Sequence, residues 1–197
     1  DWENIIIAGD SAYKLSKTTF SGIHTALNIL ASTLITDELG MDSVSTARHL
    51  SDIQWLPHRL ENIGQKNGII LVEDSKWTSA QSLEAALSSF GTEKNLLLIV
   101  WGSDKWDSFD HLSEAFKHRV KALACIWVTK DHFIRLAKIN GIPYLATDSI
   151  QDAVNYLFAN GEVNDVLMLS PGCASFGLFR DYLDRANQFR EAIKKLP

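Results

Sequence analysis

The stretch Asn95-Leu96-Leu97-Leu98-Ile99-Val100-Trp101 decides the fold. A strand with one wet face alternates apolar and polar residues, whereas this run is apolar throughout, as a strand is when helices cover both faces of a parallel sheet. Outward from it, similar runs recur at 68–73, 122–128, 143–146 and 165–170. Between them lie stretches whose apolar residues recur at helical spacing, at 80–90, 109–117, 132–140 and 150–160, with a longer one from about 176 to 195. Strand and helix in alternation predict an α/β fold: a doubly wound, mostly parallel sheet with helices on both faces, from about residue 65 onward. Ligands of such sheets bind beyond the carboxyl ends of the strands, where the strand order reverses, so chemistry is expected in the turns there.

Upstream the pattern differs. Residues 4–8 read as a short strand, and the polar stretch that follows, to about residue 20, shows no period. Leu27, Leu30, Leu34 and Ile35 recur at helical spacing over 24–39 with Gly40 as a C-cap, and a second helix is expected over 43–53. Trp55-Leu56-Pro57-His58-Arg59 carries a proline and no period, and reads as a linker. The expected organisation is a short, mainly helical remnant over 1–56, a hinge linker over 57–64 and the α/β domain over 65–197.

Composition narrows the function classes. At 197 residues one hydrophobic core should dominate. No apolar run approaches the roughly 18 to 20 residues that span a bilayer, so a soluble protein with no membrane partner is expected. The start, Asp1-Trp2-Glu3-Asn4, has neither an initiator methionine nor a secretory signal and reads as a segment cut from something longer. A net charge of −5 with scattered basic residues gives no footprint for nucleic acid. Cys125 and Cys173 have no second ligand at a metal-binding spacing and read as buried thiols of a reducing, cytoplasmic compartment.

Three segments carry candidate chemistry. Glu73-Asp74-Ser75-Lys76-Trp77-Thr78-Ser79 follows the first strand of the α/β part and runs into a helix at Ser79 or Ala80. Lys76 can hold a carboxylate or phosphate as a point charge, Ser75, Thr78 or Ser79 can cap the helix, and Asp74 can orient a partner; an ordinary solvated turn accounts for the same residues. Leu169-Ser170-Pro171-Gly172-Cys173-Ala174-Ser175-Phe176 follows the last strand, and its small residues would let backbone N–H groups approach an anion, with Ser175 at the helix start. Ser175 is explained equally well as a plain N-cap. His58-Arg59 is the third, a pair whose Arg59 could reach a nucleotide from the linker. The chain has neither G-x-x-x-x-G-K-[ST] nor G-x-G-x-x-G, so it lacks a phosphate-cradling loop of its own.

Taken in order, Gly22-Ile23-His24-Thr25-Ala26-Leu27-Asn28, Leu56-Pro57-His58-Arg59-Leu60-Glu61, Asp74-Ser75-Lys76-Trp77-Thr78 and Leu169-Ser170-Pro171-Gly172-Cys173-Ala174-Ser175-Phe176 resemble the Mur ligases. The Asp-Ser-Lys-x-Thr loop is similar to that of the members that add D-glutamate to UDP-N-acetylmuramoyl-L-alanine in peptidoglycan synthesis. The resemblance covers about residues 20–197. It implies the end of a central ATPase domain followed by a Rossmann-like, amino-acid-binding domain, with ATP and Mg held mainly by parts outside this chain. It also implies that Asn28 contacts adenine and that His58, Arg59 and Asp74 serve the nucleotide. Lys76, Thr78 and Ser75 would grip D-glutamate, with Ser175 and Phe176 at its other end and Tyr182 nearby. Alone, the chain is expected to turn nothing over.

The sequence departs from the family at several points. Thr25 stands where an adenine-contacting Asn is usual, Trp77 where Ala is usual, Ser79 where Asn is usual, and Trp101 and Trp106 where glycines are usual. Indoles in place of small residues would narrow the ligand edge or make a new packing surface. Two other readings therefore stand beside a D-glutamate ligase: a ligase of the same chemistry for another amino acid, and a non-catalytic binding module.

Overall fold

A computed structural model describes residues 5–8, 11–14, 23–52, 56–101, 109–126, 130–173 and 179–197. The chain divides into two units, Asp1–Leu56 and Pro57–Pro197.

In the first unit β1 (Ile5–Ala8) pairs antiparallel with β2 (Ser11–Lys14), from Ile5 opposite Lys14 to Ala8 opposite Ser11. The second of these strands was not legible in its four residues, Ser-Ala-Tyr-Lys, which carry no apolar run. Helix α1 (Ile23–Glu38) ends where Gly40 takes φ +79°, with Gly40 N–H donating to Asp37 O at 2.9 Å and Met41 N–H to Thr36 O at 3.0 Å. That pair of bonds closes the helix through a left-handed residue, which glycine supplies without steric cost. Helix α2 (Ser43–Asp52) starts on Asp42, whose Oδ1 accepts from the N–H groups of Val44 and Ser45. The stripe of α1 that includes Leu27, Leu34 and Ile35 is exposed, while Ile29 and Thr33 are buried.

The second unit is one sheet of six strands in the order β3-β4-β8-β5-β6-β7. The strands are β3 (Glu61–Lys66), β4 (Ile69–Glu73), β5 (Leu96–Trp101), β6 (Val120–Ile126), β7 (Tyr144–Thr147) and β8 (Val166–Gly172). All neighbours pair parallel except β3, which is antiparallel to β4. The connections run through α3 (Ala80–Ser88), a 3-10 turn (Asp110–Leu112) leading into α4 (Ser113–Arg119), α5 (Lys130–Ile139) and α6 (Ile150–Ala159), with α7 (Tyr182–Lys194) at the end.

Strand periodicity sorts the core into two layers. Leu98 and Val100 pack on one face with Leu83, Leu112, Phe116 and Phe133, so α3, α4 and α5 cover that side. Leu97 and Ile99 face the other way, onto Val154, Leu157, Phe189 and Ile193 of α6 and α7. The unbroken apolar run of β5 is thus explained: each of its faces has helices on it. The chain therefore has the doubly wound, mostly parallel α/β sheet expected from its sequence.

Two expected boundaries are corrected. Residues 61–64, read as part of a hinge linker, lie in β3, an edge strand whose polar sequence carries no alternation. It turns into β4 through Asn67 (φ 50°) and Gly68 (φ 78°), a two-residue hairpin of the kind Asn-Gly favours because both residues must take positive φ. The long C-terminal helix begins at Tyr182 and not near 176, because Asp181 is its N-cap and accepts from Asp184 N–H. Among the described residues no helix is long and apolar enough to cross a membrane. Cys125 and Cys173 are buried and form no disulfide, and burial pushes the Cys125 thiol up to about 12.

Candidate functional site

The carboxyl ends of β4 and β8 are adjacent, and the chain leaves β4 as Glu73-Asp74-Ser75, three polar residues with no exposure at all. Polar groups at that depth must be bonded, and most of these are. Asp74 N–H extends the ladder by donating to Leu169 O at 2.9 Å. Its carboxylate accepts from Ser170 Oγ on β8 at 2.7 Å and from Leu60 N–H at 2.9 Å, so one side chain ties three segments together. Burial drives the Asp74 carboxyl up to about 7 against those two bonds, and the charge of Glu73 acts in the same direction as burial.

Glu73 gathers donors. Its Oε1 accepts from Ser75 N–H at 2.7 Å, and its Oε2 accepts from His58 Nδ1 at 2.5 Å and from Arg190 Nη2 at 3.2 Å. Arg190 also donates to Glu61 Oε2 at 2.8 Å, and the same oxygen accepts from His58 N–H at 2.9 Å. Burial pushes the Glu61 carboxyl up, but these donors outweigh it and hold it below the usual range. His58, Glu61 and Glu73 place three potential metal ligands within 4.8 Å of one another. Both carboxylates are already engaged by Arg190, so the group is an ion-pair network and does not suit a cation.

This network fixes a turn of unusual backbone. His58 (φ 66°) and Leu60 (φ 44°) both occupy the left-handed region, which costs roughly 1–2 kcal/mol per residue without glycine. Strain of that kind persists where surrounding bonds determine it. Here His58 O accepts from Lys76 N–H at 3.0 Å, and Leu60 N–H is held by Asp74. Further along, the loop after β4 ends in a capping box: Ser79 and Ser82 each satisfy the other's backbone N–H.

On this buried polar layer sit two cations, each over an aromatic ring. Arg59 Cζ is 5.0 Å from the Trp77 ring centroid, and Lys76 Nζ is 5.6 Å from that of Tyr182. Tyr182 also meets His58 edge to face at 5.7 Å. Lys76 is exposed and Thr78 half-buried in the same loop. Such an edge can receive anionic groups by charge and by directed donors, which is a means of positioning.

Of the residues singled out from sequence, His58, Arg59, Asp74, Ser75, Lys76, Thr78 and Tyr182 come together here. Ser75 comes in an unexpected way: its Oγ is buried with no hydrogen-bond partner, while its carbonyl accepts from Arg185 Nη2 at 2.5 Å. Asn28 is an exposed residue of α1, in the first unit. Ser175 and Phe176, and Trp106, lie outside the described residues. The N-cap of α7 is Asp181. Trp101, the last residue of β5, is buried against Phe179 at 4.3 Å between ring centroids, so its indole makes a packing surface.

Sequence reasoning gave no role to Glu73, Ser170, Arg185 or Arg190. Arg185 did leave a signal: it falls on the helix face of Ala186, Phe189, Ala192 and Ile193, where a charge is out of place unless something buried receives it. The guanidinium is fully buried, its Nε and Nη1 have no hydrogen-bond partner, and burial lowers its ionisation to about 10.

No family model matches the chain. The UDP-N-acetylmuramoylalanine--D-glutamate ligase of Thiobacillus denitrificans is 32% identical over 194 residues, which are 98% of this chain and 41% of that protein. The chain thus spans about two fifths of the length of the curated relatives it matches. In fold it is similar to a pseudomurein peptide ligase type C from Methanothermus fervidus, with a TM-score of 0.69 at 15% identity over 98% of this chain and 40% of that one. It is also similar to MurF ligase from Thermotoga maritima in complex with ADP, with a TM-score of 0.65 at 16% identity over 94% of this chain and 40% of that one. By sequence along nearly its whole length, this chain belongs to the Mur ligase family.

Proposed function

We propose that the chain is the amino-acid-delivering part of a cytoplasmic enzyme that joins D-glutamate to UDP-N-acetylmuramoyl-L-alanine for peptidoglycan precursors. The observation that carries this reading is the edge at β4 and β8, where the exposed cation of Lys76 stands on a layer of buried, bonded polar groups. In the reaction the substrate carboxylate takes the γ-phosphoryl group of ATP and releases ADP. The D-glutamate amine then attacks the acyl phosphate, an amide forms and phosphate leaves.

Lys76, Thr78 and Ser75 hold the D-glutamate carboxylates, and Ser175, Phe176 and Tyr182 are assigned to the same substrate. Arg59, His58 and Asp74 serve the nucleotide; Asn28, in the first unit, is assigned to adenine. Magnesium neutralises phosphate charge in such a transfer; no described residue is assigned to it, because the one group of three potential ligands is engaged by Arg190. The contribution of this chain is orientation and charge, which suffices to organise an in-line attack.

Phosphate release by the full-length protein, supplied with ATP and UDP-N-acetylmuramoyl-L-alanine, tests the reading. Release is expected with D-glutamate and not with L-glutamate. Lys76→Ala should lower it more than about tenfold, since a charge-assisted contact contributes roughly 1.5–3 kcal/mol. Dependence on another amino acid discards the substrate, and no release with any amino acid sinks the ligase reading.

A further inference from the structure

Trp77 and Arg59 belong to two short segments that the main chain ties together. His58, before Arg59, accepts from Lys76 N–H at 3.0 Å; Leu60, after it, donates to Asp74 Oδ1 at 2.9 Å. With His58 and Leu60 both held at positive φ, the backbone around Arg59 has little freedom left. The side chain itself carries several rotatable bonds, and its neighbours must restrain them if the guanidinium is to keep one orientation. The guanidinium lies over the Trp77 ring at 5.0 Å, within the range at which a cation is attracted to an indole face.

The indole is well placed for that task. Trp77 is half-buried, and its loop is pinned before it by Asp74, which binds both Ser170 and Leu60, and after it by the capping box at Ser79. A cation over a ring face keeps the donors of a planar guanidinium, which lie in its own plane, directed outward. Indole is also the strongest of the aromatic partners, and the Mur ligases that this sequence resembles usually carry alanine there, which has no face to offer.

We propose that Trp77 is a positioning residue for Arg59: the indole is a plate that holds the guanidinium in one orientation toward the nucleotide. This rests on the reading that Arg59 serves ATP. Trp77 itself touches no reacting atom, so its removal should weaken nucleotide binding and leave the chemical step alone.

The test uses the full-length protein and two measurements, equilibrium binding of radiolabelled ATP and D-glutamate-dependent phosphate release. Trp77→Ala is expected to weaken ATP binding about fivefold and to raise the KM for ATP similarly, with kcat within twofold of the parent. Trp77→Phe should recover most of the loss, and Trp77→Leu, which restores bulk without a ring face, should not. Trp77→Ala should add nothing to Arg59→Ala. ATP bound equally tightly by Trp77→Leu and the parent, or a loss confined to kcat, overturns the role of Trp77 while leaving the ligase reading intact. A parent that binds ATP but releases no phosphate with any amino acid overturns the ligase reading, and the binding series still decides the role of Trp77. A parent that binds no ATP overturns both.

Discussion

Strands β4 and β5 flank β8, and both end buried, yet they end in opposite chemistry. β5 finishes in Val100 and Trp101, with the indole packed on Phe179. β4 finishes in Glu73 and runs on into Asp74 and Ser75, equally buried and held by bonds to His58, Leu60, Ser170, Arg185 and Arg190. Apolar packing asks only that volume be filled, so the β5 end fixes a shape. Buried charge asks that every lone pair find a donor, so the β4 end fixes directions as well. Arg59 and Lys76 stand at the β4 end, where directions are fixed.

Removing the hub of the polar end should have the largest effect. Glu73→Ala leaves Ser75 N–H, His58 and one bond of Arg190 without an acceptor, and urea denaturation should show a loss of about 3–5 kcal/mol. Trp101→Leu, at the packed end, should cost less, about 2 kcal/mol, since leucine refills part of the space. The two also differ in kind: under the proposed function Glu73→Ala should raise the KM for ATP by releasing the His58 turn, and Trp101→Leu should not. Equal KM values for the two variants would erase the distinction between the ends.

A pH series sharpens the same comparison. The Asp74 carboxyl is raised from 3.8 to about 7 in the folded chain, so the folded state holds a proton that the unfolded state gives up. That contribution to stability is complete below about pH 4 and is lost as pH rises through about 7. Asp74→Asn cannot ionise, and against it the parent should lose stability between pH 4 and 7, by up to roughly 4 kcal/mol for a shift of about three units. A constant difference between the two across that window would show that Asp74 titrates normally. The smallest effect belongs to a solvated pair: Lys194→Ala, which breaks the exposed contact to Glu191 at 2.6 Å, should leave the urea midpoint unchanged.

The legible parts of the fold were those with a local period. β5, β6 and β8 announced themselves because both of their faces are apolar. β3 did not, because Glu-Asn-Ile-Gly-Gln-Lys is an edge strand with a register break at Asn62 and Gly64; its real signal was the Asn-Gly hairpin that follows. The start of α7 was misplaced because Ser175 and Asp181 are both good caps, and only the fold chooses between them. The site was legible as a loop of hydroxyls and charge after a strand. Its supports were not, since Arg185 and Arg190 reach back 110 and 117 residues, and no local pattern carries that information.

Those same separations govern how the chain is made. β8 sits between β4 and β5 although it is the last of the sheet strands to be synthesised, so the two earlier strands cannot meet across the sheet when they leave the ribosome. Until then the turn after β4 lacks Ser170, 96 residues away, and both arginines of α7. Contacts of such range form late, because long loops must close before they are rewarded. A nascent chain therefore cannot display a half-built version of this edge: the loop that carries Lys76 and Trp77 takes its shape only once β8 and α7 have been delivered.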